Sequence, residues 1–191
     1  MDILDKLSKY SRFGEKILED GTYLIGKATH IAPQAWLHSI FPGLDIKHIQ
    51  NLEQELKVSI PSSYIAFLLQ NNGLKLFNTT LCLDGIRSNN RRDLNSLWQP
   101  FDIRTKNLFE RPTNSKKHFF FIGGYDWDGS MVYIDSLSES VHLCSNDDAT
   151  SLLSWSNFEN MLSSEIDRLI ALFDDKGLEL DITASTLPRL I

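Results

Sequence analysis

The chain has 191 residues, 42% of them apolar and eleven of them Phe, enough to bury roughly 70% of its unfolded surface around one core. Charged residues make up 23%, and 19 basic against 25 acidic side chains leave a net charge of −6, which excludes a disordered or polycationic chain. The longest apolar runs fall far short of the ~20 residues that a membrane helix requires, and Met1 to Asp20 lacks the layout of a signal peptide.

Ile3, Leu4, Leu7, Tyr10, Ile17 and Leu18 recur at helical spacing, so the first twenty residues read as an amphipathic helix that Asp20-Gly21 stops. A looser stretch then runs to Pro42-Gly43. Its anchors are Trp36, Leu37, Ile40 and Phe41, read as a short helix over the core. Asp45 is placed to cap the next helix, whose apolar stripe is Ile46, Ile49, Leu52 and Leu56. Pro61 opens a third helix through Tyr64, Phe67 and Leu68, and Asn72-Gly73 is expected to end it with a left-handed residue.

From there the period changes from helix to sheet. Phe77, Thr79, Leu81 and Leu83 alternate as one strand up to Asp84-Gly85. Ser88 to Arg92 reads as a polar loop, and Leu94, Leu97, Trp98 and Phe101 as a short helix broken at Pro100. Phe119 to Ile122, Met131 to Asp135 and Val141 to Cys144 are strands, the last two forming a hairpin. Ser156 with Glu159 matches a capping box, and a long helix follows through Phe158, Leu162, Ile166, Leu169 and Phe173 to Lys176-Gly177. The tail alternates weakly at Leu178, Leu180 and Ile182, as an edge strand or a disordered end. This order predicts a single α+β domain, mainly an antiparallel sheet flanked by helices.

Charge is segregated along the chain. Ile86 to Lys117 holds eight Lys or Arg against three acids, whereas His118 to Asp167 holds nine acids and no base. An acidic patch repels nucleic acid and attracts basic proteins.

Two blocks resemble the SUKH superfamily. One runs from Ile49 to Leu56 and on through Ile60-Pro61-Ser62-Ser63-Tyr64 to Asn71-Asn72-Gly73. The other is Phe120 to Ser130, centred on Gly123-Gly124-Tyr125-Asp126-Trp127-Asp128-Gly129, followed by Val132 to Asp135. Ser156 to Glu159 is a weaker third match. The resemblance implies a SUKH-like domain over 45–175; it does not explain 1–44, read from its periodicity as a helical extension packed on that domain, or 176–191, read as a tail. It also implies a role: most members are bacterial immunity proteins that bind and neutralise the toxin encoded beside them, often a nuclease, while a minority are regulators. A cytoplasmic protein with a basic toxin partner, and with neither nucleic acid nor membrane as partner, is the resulting expectation.

No residue set points to catalysis or to a cofactor. Asp126 and Asp128 before Gly129 look like the start of a calcium loop, but Ser130 and Leu137 stand where further oxygen ligands are required. Gly123-Gly124 lacks the spacing of a phosphate loop. The five His residues show no metal spacing, and His142 with Cys144 sits in the acidic half, where a thiolate is disfavoured. Cys82 and Cys144 read as buried reduced thiols, with a disulfide left open. Tyr125, Asp126, Trp127, Asp128, Asp147 and Asp148 are the candidate partner-binding residues, an aromatic anchor amid steering carboxylates. Trp127 could equally be core.

Overall fold

The computed structural model describes residues 3–89 and 97–188. Helix α1 (Ile3–Leu7) tightens into a 3-10 turn, Ser8–Phe13, and strands β1 (Glu15–Ile17), β2 (Tyr23–Lys27) and β3 (Trp36–Pro42) follow. Helices α2 (Ile46–Leu56) and α3 (Ser62–Gln70) lead into β4 (Asn71–Leu76) and β5 (Leu81–Leu83). A crossing segment with one π-helical turn, Thr105–Phe109, precedes β6 (Phe119–Tyr125), β7 (Met131–Asp135), β8 (Val141–Cys144), β9 (Leu153–Trp155) and helix α4 (Phe158–Leu172). Among the described residues the nine strands form one antiparallel sheet in strict chain order, β1 to β9. The α+β expectation of an antiparallel sheet flanked by helices therefore holds.

One face carries Leu74, Leu76, Leu81, Leu83, Phe120, Ile122, Val132 and Ile134, which pack under α2, α3 and α4. The alternate residues Phe121, Met131, Tyr133 and Cys144 face the other way and form a second, smaller cluster with Ala149. The crossing segment lies on that second side. Asn107 clamps it there: its side-chain amide donates to the Phe121 carbonyl at 2.7 Å and accepts from the Phe121 N–H at 3.0 Å. That exchange supplies β6 with the partner that β5, ending at Leu83, no longer provides.

The helical reading of 1–44 is corrected. Helix α1 ends at Leu7, Gly14 takes φ +114, and Ile17, placed on the apolar stripe by periodicity, is 71% exposed on a strand. Trp36 to Phe41 is buried on both faces of the sheet, so its near-continuous apolar run belongs to a strand. Ile3, Leu7 and Tyr10 do face the core as the stripe predicts.

Two other boundaries shift. The expected strand over Phe77 to Leu83 is a hairpin, because Phe77 and Asn78 adopt φ +47 and +67 and turn the chain between β4 and β5. Gly73 has the expected positive φ, +84, but inside β4; α3 has already ended at Gln70 with Asn71 extended. A Cβ at Gly73 would stand 2.5 Å from the Leu83 carbonyl oxygen, so it is the close approach of β5 that requires glycine. The last helix starts one residue late, capped by Asn157, whose Oδ1 accepts from the Asn160 N–H at 2.8 Å. Asp45 caps α2 as expected, accepting from the His48 N–H. The reading of Arg91, Arg92, Asp93 and Leu94 falls outside the described residues.

The disulfide alternative is closed by register. Cys82 pairs with Gly124, Gly124 with Met131 and Met131 with Cys144, three ladder steps in a row. At ~4.8 Å per step the two cysteines stand about 14 Å apart, twice the reach of a disulfide.

Candidate protein-interaction surface

Antiparallel connections alternate between the two ends of a sheet, so the β2–β3, β4–β5, β6–β7 and β8–β9 connections all emerge at one end. The sequence-predicted residues sit on the last two. In the β6–β7 turn Asp128 accepts from the Ser130 N–H at 2.8 Å and from the Ser130 hydroxyl, and Asp126 accepts from the Thr79 hydroxyl at 2.8 Å. These bonds fix the turn and hold Trp127 outward, 46% exposed, which settles the choice between core and surface.

In the β8–β9 connection Asp147 accepts from the Ser145 hydroxyl at 2.7 Å. Asp148 accepts from the Thr150 N–H and the Asn114 amide, each at 2.7 Å. The bonds from Thr150, then Asn114, hold the Asp148 carboxyl below its ordinary range and keep it ionised at neutral pH. Asp126 and Gly129 of one turn and Asn146 of the other line a single cleft of about 580 Å³, so the two acidic turns are neighbours.

Tyr125 is a correction. It is 3% exposed, and its hydroxyl donates to Glu165 of α4 at 2.6 Å, while Glu165 is in turn bridged by Arg168. The side chain ties β6 to the last helix and offers a partner no surface.

The other acids of the segment 118–167 are largely engaged internally. Asp167 pairs with Lys6, Asp135 faces His118 at 3.8 Å, and Glu139 accepts from Ser62 and Ser63 at the start of α3. Asp126, Asp128, Asp147 and Asp148 are exposed with only neutral donors as partners among the described residues.

The basic segment behaves oppositely. Lys106 reaches the fully buried Asp84 at 2.9 Å, Arg104 stands 3.4 Å from both Asp102 and Glu55, and Arg111 donates to the carbonyls of Phe119 and Lys116. Lys106 and Arg111 pin the crossing segment to the sheet, and Arg104 ties it to α2. Charge segregation in the sequence thus sets Arg104, Lys106 and Arg111, which bind within the fold, against the exposed carboxylates of the two turns.

Burial pushes the Cys82 and Cys144 thiols up to about 12, and His142 lies between the hydroxyls of Ser140 and Ser151 at 2.8 and 2.9 Å. Among the described residues no group of three or more His, Cys, Asp or Glu is gathered closely enough to hold a metal ion, and no helix is long and apolar enough to cross a membrane.

Sequence reasoning missed two contributors. Glu139 was visible only as part of a polar connection, yet it caps a helix 76 residues away. The tail was the other: Phe173 bridges back to Glu179, and Leu187 packs against the core, so 173–187 is folded onto the domain.

A nine-strand meander with three helices on one face and exposed acidic turns at one end defines an α+β domain of the SUKH type. The chain belongs to the SMI1 / KNR4 family (SUKH-1), whose match covers residues 43–164, more than half of the sequence. The match starts just after β3 and ends inside α4, leaving β1 to β3 and the tail beyond it. No curated protein matches the chain.

Proposed function

We propose that the protein is an immunity protein of the bacterial type, which binds a cognate toxin domain and neutralises it by covering its active site. Family membership supports the class. The observation that carries the choice of surface is Trp127, held outward between Asp126 and Asp128, with Asp147 and Asp148 on the adjoining turn. A nuclease-type toxin holds phosphates in a basic cleft, and a protein that presents carboxylates to that cleft gains both attraction and encounter rate. An aromatic side chain amid them supplies the desolvated contact that slows release. Binding alone accomplishes this, with no chemistry by the immunity protein.

Co-expression tests the reading. The protein encoded by the neighbouring gene should arrest growth when expressed alone, and this chain should relieve the arrest and co-purify with it at equal stoichiometry. Growth arrest that persists, with no complex formed, would leave a regulatory or scaffold module without a cognate toxin as the reading to adopt.

A further inference from the structure

Phe173 leaves α4 in extended conformation, and Asp174 to Gly177 turn the chain back on itself. Asp174 fixes the turn by accepting from the N–H groups of Lys176 and Leu178 at 2.7 and 2.8 Å. Glu179 then bridges antiparallel to Phe173, and the Leu180 N–H donates to the Leu172 carbonyl at 3.0 Å. From the other side Arg12 reaches Asp175 through both its carboxylate, at 3.2 Å, and its carbonyl, at 3.1 Å.

This fixed hairpin leans towards the β2–β3 loop and the β4–β5 turn, and between them lies a depression of about 330 Å³. Ile31, Leu178 and Ile182 line it while remaining 46, 44 and 77% exposed, and Asp126 and Glu179 stand in the same lining. Three aliphatic side chains held in water around one depression, two from the tail and Ile31 from the β2–β3 loop, beside carboxylates, have the character of an interaction patch rather than of scattered surface residues.

We infer that the partner surface extends from the acidic turns onto this tail hairpin and the β2–β3 loop facing it, where Ile31, Leu178 and Ile182 receive an apolar side chain that a basic protein projects between its cations. The inference rests on the function proposed above and names the chemistry of the partner. Charge decides the occupant. Asp126 and Glu179 in the lining outweigh the nearby Lys176, so the flanks of the inserted side chain must be basic. A second copy of this chain is the wrong occupant, since a two-fold contact would set the same carboxylates against each other. The hairpin lies beyond the residues that match the family.

The test uses the neighbouring gene's product, inactivated in its active site, as the immobilised probe. Leu178→Ser combined with Ile182→Ser should raise Kd by about tenfold or more through faster dissociation, with the association rate within about twofold of the parent. Asp126→Lys should instead slow association. Wild-type binding with a dissociation rate untouched by the double substitution would overturn the inference and leave the proposed function standing. Failure of the wild-type chain to bind would sink both. Hydrogen exchange on the wild-type complex provides a readout without any substitution: the amides of 178–182 should be protected on binding, and unchanged exchange there would equally overturn the inference.

Discussion

Phe77 and Phe173 stack nearly face to face, their ring centroids 4.1 Å apart and their planes 18° from parallel. One belongs to the β4–β5 turn inside the family-matched region and the other closes α4 outside it. Phe77 holds φ +47, a conformation that a bulky residue rarely adopts, and the rings of Tyr10, His38 and Phe173 surround it. The stack therefore joins the N-terminal segment, the sheet and the tail at one point. Phe173→Ala should destabilise the protein by about 3 kcal/mol, a loss of buried ring plus cavity. Urea unfolding followed by circular dichroism reads this directly; a loss of under about 1 kcal/mol would mean that the tail is a passive appendage.

The start of α3 gives a second prediction. Pro61 precedes the helix and offers no capping side chain, so its free N–H groups depend on Glu139, which accepts from the Ser62 N–H at 3.0 Å and from both Ser62 and Ser63 hydroxyls. Glu139→Ala should cost about 1 kcal/mol. A melting midpoint equal to that of the parent would show that water caps α3 equally well.

His38 predicts a pH dependence. It is fully buried, burial lowers its pKa to about 3, and its Nδ1 faces the Phe77 N–H at 3.4 Å as an acceptor. The unfolded chain takes up a proton near pH 6.5 and the native protein does not until about pH 3. Stability contributed by neutral His38 is thus complete above pH 6.5 and is lost as pH falls towards 3, with a slope of up to about 1.4 kcal/mol per pH unit. Denaturation between pH 7.5 and 5 should show that slope, and His38→Phe should flatten it. An equal slope in both proteins would assign the effect to other groups.

At the acidic end, association and dissociation should separate. Asp126→Lys with Asp128→Lys should slow association with the partner and weaken its salt dependence, whereas Trp127→Ala should speed dissociation by the equivalent of about 2 kcal/mol. Stopped-flow mixing at two salt concentrations distinguishes the two. Unaltered kinetics in folded variants would move the binding face elsewhere on the molecule.

Legibility in the sequence followed locality. Asp45 with the stripe from Ile49 to Leu56 named α2 because cap and period lie within one short window. Val141 to Cys144 and its hairpin partner were plain for the same reason. The strands at 15–17 and 23–27 were not: three residues show no period, and Ile3, Leu7 and Tyr10 before them do fit a helix. Phe77 and Thr79 alternate as a strand should, and only the positive φ of Phe77 and Asn78, which tertiary packing sustains, reveals a turn. In the candidate site Asp126 and Asp128 were readable as residues of a glycine turn, whereas Asp147 and Asp148 were marked by charge alone and Trp127 was left between core and surface. The burial of Tyr125 was not readable, because it depends on Glu165, forty residues away on another element.

Strict chain order in the sheet bears on how the protein assembles. Most neighbouring strands are joined by short connections, so pairing can advance as a series of local hairpins with little loop entropy to overcome. Two joints differ. Between β3 and β4 the chain must first lay down α2 and α3, and between β5 and β6 it makes the long crossing that Asn107 and Lys106 fasten. The slow steps of folding are therefore expected at these two long joints, β3–β4 and β5–β6, the second of which closes where Cys82 meets Gly124.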